Sequence, residues 1–386
     1  MLLAFHLIPS IFSLADATEY RLKFVYAIWR HGERTPLYTF TTNPIQEVNW
    51  TLGQGGYGAL TPRGMQQQFK LGSELRKRYI DSGFLSSKYS SSEIFYEALP
   101  DDRVLASAQA NSFGMFRDSD EPSPSNEDWP SGVVPIPVQT ITEFARGLAK
   151  CPRYAQFAAL KAESGEFATS LASPEYALMK AGIKLGGITA NISNYKQFYE
   201  AAVAERAYFP DSVAMWLSDE MFDALRSFYN EQFDLDYGHG YTTPTRGVDL
   251  TLEIPRLNGG MVMERVVKSF RSSIQGDSPR KYRALSGNDI AIAGVLNVLG
   301  IKGRVVNGQP GYASSIIFEL LEDGRGEHFF KVLYRHGPNG SYEAITKNIN
   351  GCREDECEIS ILEDIAEKFS VDLIKDCTLL ELAPAA

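Results

Sequence analysis

Arg30-His31-Gly32-Glu33-Arg34-Thr35-Pro36 closes the apolar run Phe24-Val25-Tyr26-Ala27-Ile28-Trp29 and sets one imidazole between two guanidiniums at the end of an expected strand. An imidazole can attack phosphorus and carry the phosphoryl group as a covalent intermediate. Guanidiniums present fixed, forked donors that match the oxygens of a phosphate. The heptapeptide therefore reads as a phosphate site with a built-in nucleophile; the competing reading is an exposed strand end whose Arg and His face water. A second copy, Arg335-His336-Gly337, also follows an apolar run, Phe329 to Tyr334. It continues Pro338-Asn339-Gly340, which is turn chemistry, and it is read as a loop.

Two further reactive sets stand at expected strand ends. Asp102-Arg103 follows a strand over Glu93 to Leu99 and opens a helix through Ala106, Ala110 and Phe113. Asn288-Asp289 follows a strand over Lys281 to Leu285 and opens a helix from Ile290 to Leu299 that Gly300 ends. Alone, Arg103 reads as a surface arginine balancing Asp101 and Asp102, and Asp289 as a first-turn carboxylate on the helix dipole. Their common position argues for one site, because open α/β sheets bind ligands at the carboxyl ends of their strands.

The elements that must position these residues alternate. A strand over Leu22 to Ile28 is followed by a helix that Thr61 caps and Pro62 begins, with Met65, Phe69, Gly72, Leu75 and Tyr79 as its expected buried face. Strand, helix, strand, helix implies parallel pairing in an α/β layer. From Ser119 to Pro137 the composition shifts to Ser, Pro, Asp and Glu, as in an exposed connection. The stretch onward to Val248 carries Ala, Phe and Tyr at helical intervals and reads as a helical insertion. The α/β pattern resumes with a helix over Met261 to Ile274, whose Val262, Val266, Phe270 and Ile274 repeat every four residues. Strands follow at Ser314 to Leu320 and His328 to Leu333. The expected division is a leader over 1–17, an α/β domain over 18–118 and 249–386, and a helical insertion over 119–248.

A net charge of −10 over 386 residues denies the chain the basic surface that nucleic acid or an acidic membrane would require. Any anionic ligand must be caught by local arginines. Met1 to Leu14 is apolar and uncharged, and Ala15-Asp16-Ala17 offers small residues for cleavage, so a signal peptide cut near Ala17 is expected, with a short buried first strand as the alternative. No later stretch is long and apolar enough for a transmembrane anchor. Four cysteines fit two disulfides, which three pairings could satisfy. Cys352 with Cys357 and Cys151 with Cys377 is the favoured set, and the second bond would close a long loop, stabilising by roughly 5 kcal/mol in the chain-entropy model. Asn49, Asn191 and Asn339 open N-glycosylation sequons.

The pattern R-H-G-x-R-x-P resembles the signature of the histidine acid phosphatases, and the resemblance covers nearly the whole chain after the leader. It is nearest to the animal prostatic and lysosomal type. It extends through Leu60-Thr61 with Gly64, Leu71-Gly72, Arg76-Lys77-Arg78-Tyr79, Asp102-Arg103 with Ser107-Ala108, Ser286-Gly287-Asn288-Asp289, and Gly351-Cys352 to Cys357. It implies a mainly parallel central sheet flanked by helices, phosphoglycerate-mutase-like, with an inserted helical cap. It also implies that His31 is the nucleophile, that Arg30, Arg34 and Arg103 bind the phosphoryl oxygens, and that Asp289 protonates the leaving alcohol. Three guanidiniums supply the charge stabilisation phosphoryl transfer needs, and they should lower the pKa of His31. No metal or cofactor is expected.

One position departs from the family. The residue before the acid is a phosphate-holding histidine there and Asn288 here; an amide can donate a hydrogen bond but brings no charge. The expected function is a secreted or lysosomal acid phosphatase acting on small-molecule or protein phosphate monoesters, with a homodimer suggested by the resemblance. The alternative is a catalytically weakened relative that binds phosphorylated or anionic ligands, because Asn288 replaces the family histidine. A phosphomutase ranks third, since glycolytic chemistry does not suit a secreted chain.

Overall fold

A computed structural model describes residues 19–53, 55–117, 134–141, 151–185, 195–214 and 217–384. The expected signal peptide, most of the exposed connection and Asn191 lie outside the described residues.

The first strand, β1 (Arg21–Arg30), is the spine of the molecule. Its alternate side chains enter two cores: Phe24, Tyr26 and Ile28 pack on one face of the sheet, and Val25, Ala27 and Trp29 on the other. A strand covered on both faces must be apolar at every position, which explains the unbroken run before Arg30. After it come α1 (Pro62–Leu75), β2 (Ile94–Ala98), α2 (Asp102–Met115) and β3 (Val138–Thr140). The longer described helices of the next layer are α3 (Pro152–Glu163), α4 (Gly165–Leu171), α5 (Pro174–Leu185), α6 (Tyr195–Tyr208) and α7 (Asp219–Asp236), with one short helix, Pro210–Ala214, between the last two. The chain then returns to the sheet through α8 (Met261–Gln275), β4 (Tyr282–Gly287), α9 (Asp289–Val298), β5 (Ser315–Glu322), β6 (His328–Arg335), β7 (Tyr342–Ala344), β8 (Cys357–Glu358) and α10 (Ile359–Lys368).

The sheet runs β3-β2-β4-β1-β5-β6-β7, with β8 beside β6. From β3 to β1 all pairs are parallel; from β1 to β7 they are antiparallel, so the sheet is mixed and helices flank it. The expected strands at 314–320 and 328–333 form this antiparallel half, which a tight connection between β5 and β6 permits. β3 lies inside 119–248, so that stretch adds an edge strand to the sheet before its described helices begin at Pro152.

The buried face of α1 keeps Gly72 and Leu75 of the expected one, with Tyr79 buried just past the helix, and departs from it at Met65 and Phe69. Gly64, Gln68, Leu71, Gly72 and Leu75 point inward, while Met65 is half-buried and Phe69 is 39% exposed. The reason is the contact with α2, where a Cβ on Gly72 would lie 1.9 Å from Asn111 O. That backbone approach turns Gln68 inward, and its Nε2 donates to Arg30 O at 2.8 Å. A hydrophobic pattern cannot count a buried glutamine.

Cys151 pairs with Cys377 and Cys352 with Cys357, with Cα separations of 4.7 and 5.4 Å. The first bond ties the start of α3 to the C-terminal segment, where Arg153 Nε also donates to Thr378 O at 2.9 Å and Gln156 Nε2 to Leu380 O at 3.0 Å. Among the described residues no helix is long and apolar enough to cross a membrane.

Candidate active site

Register brings the strand ends together. Arg30 of β1 sits opposite Gly287 of β4, and Ala98 of β2 opposite Ser286. Thus Arg30-His31, Asn288-Asp289 and Arg103 emerge side by side, and His31 N donates to Gly287 O at 3.0 Å. Beyond the strand the chain crosses the start of α1 so closely that a Cβ on Gly32 would lie 2.3 Å from Gly64 O. Gly32 N donates to Ser107 Oγ at 3.1 Å, which holds the turn against α2.

His31 is 2% exposed. Its Nδ1 donates to Gly32 O at 2.8 Å, a bond that assigns the tautomer and leaves Nε2 with the lone pair. Arg103 Nε lies 3.4 Å from that Nε2. Burial pushes the imidazole pKa well below its ordinary value, and Arg30, Arg103 and Arg34 lower it further against a weaker opposing bond to Gly32. Sequence reasoning named only the cations; burial is the larger cause.

The arginines are held from several directions. Arg30 is buried behind the pocket wall, donates to Pro310 O at 2.6 Å, pairs with Asp289 Oδ2 at 3.1 Å and stacks over Tyr312 at 4.2 Å. Arg34 forms a two-point pair with Glu200, at 2.6 and 3.0 Å, and donates to Thr35 O at 3.0 Å. The Nε donors of Arg30 and Arg34 are buried and have no partner in the protein. Buried unpaired donors beside an imidazole with an open lone pair mark a candidate anion site. Asp289 Oδ2 also accepts from Gln309 Nε2.

His31, Arg34, Arg103, Asn288 and Asp289 line one pocket of about 240 Å³ with Glu200, Lys196, Tyr195, Tyr229 and Gln309. Its roof belongs to α6 and α7, whose core of Phe198, Ala202, Phe228 and Phe233 also takes in Phe40 and Ala293. Glu33 links the motif to this roof, accepting from Tyr208 OH and from Thr61 Oγ1 at 3.1 Å. Asn288 caps α9, its Oδ1 accepting from Ala291 N at 3.0 Å.

Sequence reasoning missed Glu200, Lys196, Gln309 and Tyr312, because nothing in their local pattern distinguishes them from other helix or loop residues. The second motif copy divides: His336 is exposed on a turn, while Arg335 is fully buried, pairing with Glu74 at 2.7 Å and donating to Ala313 O at 3.0 Å. It braces the loop that carries Tyr312. Asn49 and Asn339 are exposed.

Residues 21–335 match the model of the histidine phosphatase superfamily, branch 2. The chain belongs to this superfamily. Among its relatives are the prostatic acid phosphatase of Mus musculus, 29% identical over 82% of this chain and 78% of that protein, and the lysosomal acid phosphatase of Xenopus laevis, 28% identical over 86% and 73%. In fold this branch 2 chain is similar to the phytase of Klebsiella sp ASR1, with a TM-score of 0.65 at 17% identity over 95% of this chain and 97% of that one. It is similar also to Hafnia alvei phytase in complex with tartrate, with a TM-score of 0.64 at 17% identity over 94% and 99%.

Proposed function

We propose that the chain is an acid phosphatase that hydrolyses phosphate monoesters through a phosphohistidine on His31. The observation that carries this reading is the unprotonated Nε2 of His31, which accepts from Arg103 Nε at 3.4 Å, backed by the unpaired buried donors of Arg30 and Arg34. Nε2 attacks phosphorus, the ester P–O bond breaks, and Asp289 gives a proton to the departing oxygen. Water then attacks the phosphohistidine, returns a proton to the Asp289 carboxylate and releases phosphate. The guanidiniums neutralise charge on the transferred group in both steps. A depressed imidazole pKa keeps His31 unprotonated in mild acid, which supports an acidic optimum.

The helices after Pro152 serve as a cap that encloses the leaving group. Two disulfides and the sequons at Asn49, Asn191 and Asn339 fit a secretory or lysosomal route. Prostatic and lysosomal acid phosphatases among the relatives support both the reaction and the compartment. A second reading, an anion-binding relative with weak turnover, rests on Asn288, which brings no charge to the site and whose carbonyl is committed to Ala291.

Labelled phenyl phosphate mixed with the protein at pH 4 to 6 and quenched in base should leave label on His31, with none in His31→Ala. Absence of both label and turnover in the wild-type protein would leave the anion-binding reading.

A further inference from the structure

The cations at the mouth of the pocket are already committed to carboxylates. Arg34 is held by Glu200 at two points, and the pair is deeply buried, with 5% and 11% of the side chains exposed. Lys196 Nζ lies 2.8 Å from Asp236 Oδ2, and the other oxygen of Asp236 takes Lys161 Nζ at 2.5 Å. Tyr195, Tyr229 and Tyr237 are among the residues of the remaining wall. The phosphate half of the site has a spare donor in the Nε of Arg34, whereas the alcohol half presents aromatic surface, a Lys196 that shares Asp236 with Lys161, and the Glu200 carboxylate.

We propose that Glu200 is a specificity-determining residue that restricts the site to esters whose alcohol carries no further negative charge. This deepens the phosphatase reading and rests on it. The first phosphate gains Arg34 and Arg103 without displacing Glu200, because Arg34 keeps an unpartnered Nε donor. A second phosphate on the same substrate meets the Glu200 carboxylate within a partly buried pocket and finds Lys196 occupied. Like charges at such range repel strongly where water is scarce. Discrimination here is built by an unfavourable group against the wrong ligand, not by a tighter fit to the right one.

The test compares kcat/KM for myo-inositol hexakisphosphate and phenyl phosphate at pH 5 in wild type and Glu200→Gln. The ratio of the first to the second should rise by about tenfold or more in the variant. An unchanged ratio, or an equal fall on both substrates, would overturn the proposal and make Glu200 a positioning residue for Arg34. Calorimetric affinities for inorganic phosphate and for methylenediphosphonate give the same comparison without turnover. If wild type hydrolyses no ester, the phosphatase reading fails while this affinity ratio still decides the role of Glu200. Cooperative melting reports whether Glu200→Gln folds. Should it not, Asp236→Asn frees Lys196 by the same logic, and no rise in either ratio there would also overturn the proposal.

Discussion

Asn288 Oδ1 accepts the amide of Ala291 at 3.0 Å, so the one residue that departs from the family's motif is also the N-cap of α9, the helix that presents Asp289. Under the proposed phosphatase reading the position therefore has two duties that pull apart. An asparagine caps a helix well, and a histidine holds phosphate better.

Asn288→His should raise kcat/KM on a simple phosphomonoester by roughly ten- to a hundredfold, the equivalent of one charge-assisted hydrogen bond. The gain should be largest in acid, where an introduced imidazole is protonated. Loss of the cap should cost about 1 kcal/mol of stability. Steady-state kinetics and thermal unfolding of the same preparation separate the two effects, and lower stability without faster turnover would limit the position to capping.

Asp289→Asn should slow alkyl phosphates far more than aryl phosphates, because only the poor leaving group needs a proton as the ester bond breaks. The amide can keep a bond to Arg30, which pairs with Asp289 at 3.1 Å, so the guanidinium stays in place. Equal losses on both ester classes would assign Asp289 to orienting Arg30.

Glu205, fully buried on α6, accepts from Asn43 Nδ2, and burial raises its pKa from 4.5 to about 7. A carboxyl with a raised folded pKa stabilises fully below 4.5, and that stability is lost as pH rises through about 7. His31 acts in the opposite sense: its lowered pKa gives stability above 6.5 that is lost as pH falls. Glu205→Gln should remove the first dependence and leave the second. Calorimetry at pH 4.5 and 7.5 should show the variant gaining on wild type at the higher pH by something on the order of 3 kcal/mol. A constant difference between the two proteins across this range would mean that Glu205 is ionised throughout.

Removing the Cys151–Cys377 bond by replacing both residues with serine should destabilise the fold by about 5 kcal/mol, since it closes a loop with a sequence separation of 226. Removing Cys352–Cys357, separated by 5, should cost much less on the same argument. Denaturant midpoints of the two double variants give the comparison. Equal losses would place the stabilisation in local packing instead of loop closure.

How much was legible in the sequence follows from the range of the forces involved. The run Phe24 to Trp29 and the Thr61-Pro62 helix start are local signals, since a doubly covered strand must be apolar throughout and a helix end must satisfy its free amides. The motif around His31 and the sets Asp102-Arg103 and Asn288-Asp289 announce their chemistry by type and spacing, and their shared position at strand ends follows from the α/β pattern. That Gln68 turns inward on α1 in place of Met65 and Phe69 was not legible, because the backbone contact of Gly72 with Asn111 is set by two helices meeting, not by the period of one. The antiparallel half of the sheet is likewise a choice among pairings that leave the same apolar residues buried.

The sequence by itself determined the nucleophile, the phosphate-binding arginines and the acid as candidates, and where along the chain each must lie. Only the tertiary structure decided the partners that adjust them: Glu200 on Arg34, Gln309 on Asp289, Pro310 and Tyr312 on Arg30, and Arg335 behind the loop that carries Tyr312. These contacts join residues up to 282 positions apart. No local pattern encodes them, since each depends on the relative placement of separate elements that only burial of the shared cores brings about.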